Sequence, residues 1–167
     1  EGVLVTDGEK HDALRRIMNP SLHKRELTHY VNTMVQCTDA VMSQWLFGHT
    51  EDMLVEMRKI ALMVLTETLF KVDVSSDIHR LWQPILKTIQ YISPGLWILW
   101  KQMPRPGYAD KINTLNAYLY QIIDERRASN TQDSDDLLGA LIASGMDNDM
   151  IRDQLLTMLI AGHDTST

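Results

Sequence analysis

The chain has 167 residues, 44% apolar and 23% charged, with a formal net charge of −6, which is enough for one domain with a buried core. The acidic balance, with no basic face standing out, excludes a nucleic-acid partner that works by neutralising phosphates. The single cysteine, Cys37, excludes an internal disulfide. No apolar run reaches the roughly 20 residues of a membrane-spanning helix, so no membrane partner is expected of this segment.

Residues 2–6 form a short apolar lead and Asp7-Gly8 marks a turn. From Glu9 the pattern is helical until Asn19-Pro20 halts it, and it places His11 and Arg15 on one face, four residues apart. From Lys24 to Phe47 the apolar residues Leu27, Tyr30, Val31, Met34, Val35, Val41, Met42, Trp45 and Leu46 define a long amphipathic helix, closed by Gly48. Glu51 to Phe70 is apolar on more than one face, which predicts a buried helix. After a loop, Ser76 or Asp77 can cap a helix over Ile78–Ile92, with Pro84 set to kink it or to mark a later start. Residues 93–108 hold three prolines with Trp97 and Trp100. They read either as a lid on an apolar surface or as an irregular loop packed on its own core. A helix follows from Ala109 to Ser129, then a polar linker in which Ser134 can cap a short helix over Asp135–Ala143. Gly145 ends that helix, and Asp147 or Asn148 caps the final one from about Asp149. The expected fold class is all-α, with seven helices in a single domain over residues 1–167.

The last stretch runs from an apolar helix into Ala161-Gly162-His163-Asp164-Thr165-Ser166-Thr167. One reading is a helix end, with Gly162 as the first residue past it and a polar tail. The other is a helix that continues but is weakened. In that case Gly162 lets something lie against the backbone, and Thr165 turns its hydroxyl back to the Ala161 carbonyl. Asp164 then sets an ionisable group beside the opened groove.

Two motifs rise above this background: Gly8, His11, Arg15, Pro20 and Ser21-Leu22 near the start, and Ala161, Gly162, Asp164, Thr165 and Ser166 at the end. Together, in this order and at this separation, they resemble the cytochrome P450 family of haem-thiolate monooxygenases. Leu22 stands where the family more often has Phe. The resemblance implies the multi-helix central part of that fold, truncated at both ends. It implies haem b as cofactor, with Arg15 and His11 on a propionate, because a guanidinium can grip a carboxylate with two parallel hydrogen bonds.

At the other end the resemblance sets Ala161 and Gly162 against the haem, with Thr165 donating toward bound O₂ and Asp164 relaying protons. His163 faces another side of the helix, in a solvent or structural role. The implied reaction hydroxylates an apolar small molecule with O₂ and NAD(P)H-derived electrons from a redox partner, either a ferredoxin or a flavin reductase. The implied location is the cytoplasm. Cys37 sits mid-helix and reads as a packing residue, so the iron's Cys ligand is expected outside this chain, and the piece alone is expected to be inactive. The rival readings are a non-enzymatic all-α interaction module and an inactive truncated paralogue.

Overall fold

The computed structural model describes residues 2–92, 106–129 and 136–165, and every statement of structure below refers to these. Seven helices follow a short 3₁₀ turn at Val3–Val5: α1 Gly8–Met18, α2 Lys24–Met42, α3 Met53–Leu69, α4 Ile78–Ile92, α5 Tyr108–Ala128, α6 Leu137–Ala143 and α7 Asn148–Thr165. A second 3₁₀ turn, Asn19–Leu22, joins α1 to α2 through Pro20. The all-α expectation holds, and the connection carrying Trp97 and Trp100 lies outside the described residues.

α3 and α7 form the centre. α3 packs on α2, α4 and α7, and α7 packs in turn on α5 and α6. The cause is visible in the side chains. α3 buries Leu62, Met63, Leu65, Thr66, Thr68 and Leu69, which wrap much of its circumference, as its apolar composition requires. α5 buries Leu115, Tyr118, Leu119, Ile122 and Ile123 at helical spacing, against α4 and α7. Each fully buried Leu or Ile contributes about 1.5–3 kcal/mol by leaving water.

Two of the boundaries that differ from the sequence reading have a partner distant in the chain. α2 stops at Met42 rather than running to Phe47. The chain turns there, and the Trp45 indole N–H donates to Glu56 Oε2 on α3 at 3.0 Å. Lys59 donates to the other oxygen of that buried carboxylate at 2.6 Å. Burial pushes the Glu56 carboxyl up, but these two hydrogen bonds outweigh it and hold it below its ordinary range. The short helix starts at Leu137, two residues later than expected, and its cap is Asp136, whose Oδ1 accepts from the Gly139 N–H at 2.8 Å. Ser134 lies outside the described residues. Asp147 caps α7 as expected, accepting from the Met150 N–H at 2.7 Å.

Asp136 is fully buried and its second oxygen accepts from Arg126 Nη1 of α5 at 2.7 Å, while Arg126 Nη2 donates to the Phe70 carbonyl at 2.6 Å. Removing one partner of a buried pair strands the other charge, so Asp136→Ala is expected to cost about 3–5 kcal/mol. Asp136→Asn, which keeps an acceptor for the Gly139 N–H, is expected to cost less, as read from urea unfolding midpoints. A second expectation concerns Tyr118, whose hydroxyl is pushed up to about 12 by burial first and then by Asp77. Because the folded state resists ionisation, its stabilising effect is complete below pH 10 and falls as pH rises toward 12. The slope is about 1.4 kcal/mol per pH unit in alkaline urea titrations. It should be absent in Tyr118→Phe.

Candidate functional site

α7 carries the end motif on an intact helix. It continues through Gly162 to Thr165, so the weakened-helix reading holds over the alternative in which the helix stops at Gly162. Thr165 Oγ1 donates to the Ala161 carbonyl at 2.6 Å, the back-bond read from the sequence. Thr157, two turns earlier, makes the same bond to the Asp153 carbonyl at 2.7 Å. Thr165 is exposed. Asp164 lies in the final turn, between the buried His163 and Thr165.

Gly162 is held close to another helix: a Cβ placed there would overlap Leu65 Cδ1 of α3. The missing side chain therefore lets α3 and α7 approach. His163, placed in a solvent or structural role from sequence, is 1% exposed and belongs to the interior. The signal was available: Ile151, Leu155, Leu159 and His163 recur every four residues, and all four are buried on one face.

At the other end α1 buries Leu14 and Met18 and turns Arg15 to solvent, with His11 half-buried one turn earlier. Nδ1 of His11 donates to Asp12 Oδ1 at 3.3 Å, so Nε2 carries a hydrogen for a further acceptor only when the ring is doubly protonated. Among the described residues the Arg15 guanidinium makes no hydrogen bond or ion pair, and the side chain is exposed. Arg16 is likewise exposed. The structure thus keeps His11 and Arg15 on one helix face and joins Ala161 to Thr165 on another helix. The two sets are linked through intervening elements, since α6 and the Val3–Val5 turn each pack on both α1 and α7.

Cys37 is buried on α2, and burial followed by the nearby Glu67 and Asp73 pushes its thiol up, away from the thiolate form that binds iron. Among the described residues no helix is long and apolar enough to cross a membrane.

A cytochrome P450 profile matches residues 1–167, and the chain belongs to the cytochrome P450 family. Among curated relatives it is 26% identical to a cyclooctat-9-en-7-ol 5-monooxygenase of Streptomyces melanosporofaciens, over 97% of this chain and 38% of that protein. It is 27% identical to putative cytochrome P450 137 of Mycobacterium tuberculosis, over 98% of this chain and 37% of that protein. The fold is shared with the retinoic acid bound cyanobacterial CYP120A1, at a TM-score of 0.81 and 22% identity, covering 98% of this chain and 38% of that one. It is also shared with the cytochrome P450DA heme domain, at a TM-score of 0.75 and 23% identity, covering 98% and 40%. The chain therefore spans about two-fifths of the length of these proteins. The family's cofactor is haem, and a family match over the whole chain does not favour the non-enzymatic module.

The two faces of α1 differ in burial and so in what they contribute to stability. Arg15→Ala is expected to leave the unfolding free energy within about 0.5 kcal/mol, because the side chain is exposed. Leu14→Ala, on the buried face, is expected to cost about 2–5 kcal/mol. Urea denaturation of both variants side by side checks the contrast.

Proposed function

We propose that residues 1–167 are the central part, within one domain, of a haem-dependent monooxygenase acting on an apolar small molecule. One atom of O₂ enters a C–H bond, and the other leaves as water with two protons and two electrons. The electrons come from NAD(P)H through a redox partner, a ferredoxin or a flavin reductase. The observation that carries the reading is the pairing of an outward-facing, unpaired guanidinium on α1 with the Thr165–Ala161 bond on α7, inside a chain of this family. A monooxygenase name among the relatives supports it. The bacterial sources of those relatives support a cytoplasmic location.

The residues present fit haem b. Its two propionates are carboxylates, and Arg15 offers forked donors to one of them, with His11 a turn away, whose Nε2–H adds a donor in the doubly protonated ring. Cys37, buried on α2 with its thiol pushed up, does not suit the role of thiolate ligand to the iron. When bound, haem supplies the iron at which O₂ is activated. The chain's part is to deliver protons and exclude water. With its own proton directed at the Ala161 carbonyl, Thr165 presents Oγ1 as an acceptor to an incoming water or acid. It passes that proton on only by giving up the Ala161 bond. Asp164, one residue earlier, relays protons from solvent to that hydroxyl. Ala161, with only a methyl group, keeps the adjoining surface free of bulk, while Gly162 lets α7 seat against Leu65 of α3.

The test uses the full-length haem protein. Arg15→Ala is expected to weaken haem retention about 10–100-fold, the equivalent of the 1.5–3 kcal/mol that a charge-assisted hydrogen bond contributes. Thr165→Ala is expected to bind haem as the parent does, yet to consume NAD(P)H with much less product per turnover. Placed proton transfer is worth roughly 10²–10⁴ in rate. Unchanged coupling in Thr165→Ala would remove the role given to that hydroxyl.

A further inference from the structure

The first turn of the chain is held more firmly than a surface loop needs. Val3 is buried, and its N–H donates to Gln154 Oε1 of α7 at 2.8 Å, a buried bond across 151 positions of sequence. Gln154 is itself 1% exposed. A buried amide is costly unless its atoms find partners, and the Val3 N–H would otherwise be a stranded donor. Gly2 lies so close to α7 that a Cβ would overlap Thr157 Oγ1 and come within 3.0 Å of the Asp153 carbonyl oxygen. The Thr157 hydroxyl cannot simply swing aside, because it is committed to that same carbonyl. Within the turn, the Val5 N–H donates to the Gly2 carbonyl at 3.0 Å and Thr6 Oγ1 donates to the Val3 carbonyl at 3.2 Å.

This fastening lies between the two halves of the site. Asp7 leads directly from the turn into α1, which carries Arg15. Gln154 precedes Thr165 by 11 residues on α7, about 16 Å along the axis. Of the contacts described, Gly2 supplies closeness without direction, whereas the Val3–Gln154 hydrogen bond specifies one position of the turn along α7.

We propose that Gln154 is a positioning residue. By accepting the Val3 N–H it fixes the turn on α7, and it thereby sets where α1 holds Arg15 relative to Thr165. The inference rests on the reading that Arg15 holds a haem carboxylate.

Two measurements on the haem-loaded full-length protein test it: amide hydrogen exchange at Val3, and the rate of haem transfer to apomyoglobin, followed by absorbance. Gln154→Leu keeps the volume and removes the acceptor. It is expected to speed Val3 exchange at least tenfold and to speed haem transfer severalfold. Gln154→Glu, which retains an acceptor oxygen, is expected to restore both toward the parent, a rescue that a packing role alone would not give. Arg15→Ala is expected to speed haem transfer with Val3 exchange unchanged. The inference is overturned if Gln154→Leu leaves Val3 protected. It is equally overturned if haem transfer quickens in Arg15→Ala but not in Gln154→Leu. If Arg15→Ala has no effect on transfer, it is the carboxylate reading that falls, and the control of Arg15 by Gln154 falls with it.

Discussion

Asp136 has a negative charge and no access to water, so everything that answers that charge must come from the protein. Arg126 answers it from α5, the Gly139 N–H answers it from the first turn of α6, and Arg126 passes a second hydrogen bond to the carbonyl at the end of α3. A carboxylate at a helix N-terminus is also favoured by the helix dipole, so the cap and the ion pair reinforce each other. The result ties together three elements that are otherwise joined by long stretches of chain. α6 has only seven residues, too few to be stable alone, yet it is the piece that α1 and α7 both lean on. The spacing between the Arg15 face of α1 and the Thr165 end of α7 therefore depends on a buried charge carried by neither helix.

This arrangement links two motifs some 150 residues apart in sequence through elements that both helices pack on. Neither supplies its own geometry. α1 is amphipathic and presents Arg15 outward only because Leu14 and Met18 are anchored inward. α7 keeps its helix through Gly162 because its buried stripe, ending in His163, continues past the glycine and holds the last turn in place. Packing thus overrides the weak local propensity of Gly-His-Asp-Thr.

Much of this was legible in the sequence wherever the cause is local. Helical periodicity located all seven helices, and the Thr165–Ala161 bond follows from a four-residue back-reach that needs no tertiary information. The misreadings share a different origin. α2 looked five residues longer because Trp45 fits an apolar stripe, and nothing local says that its indole leaves the helix for Glu56. The cap moved from Ser134 to Asp136 because the deciding partner, Arg126, lies on another helix. Lys71 adopts φ 52° at the end of α3, a conformation favouring glycine, with no signal in the letters around it. The Val3–Gln154 bond could not be read at all, since it joins opposite ends of the chain.

Gly162 and Leu65 act as a single unit of variation. The space a side chain would need at one is already filled by the other, so neither position is free to change by itself. A lineage that enlarges residue 162 must first, or at the same time, trim residue 65, and the order in which the two changes arise decides whether the intermediate is viable. Substitutions at residue 162 of α7 are therefore constrained from behind, by a leucine on a different helix.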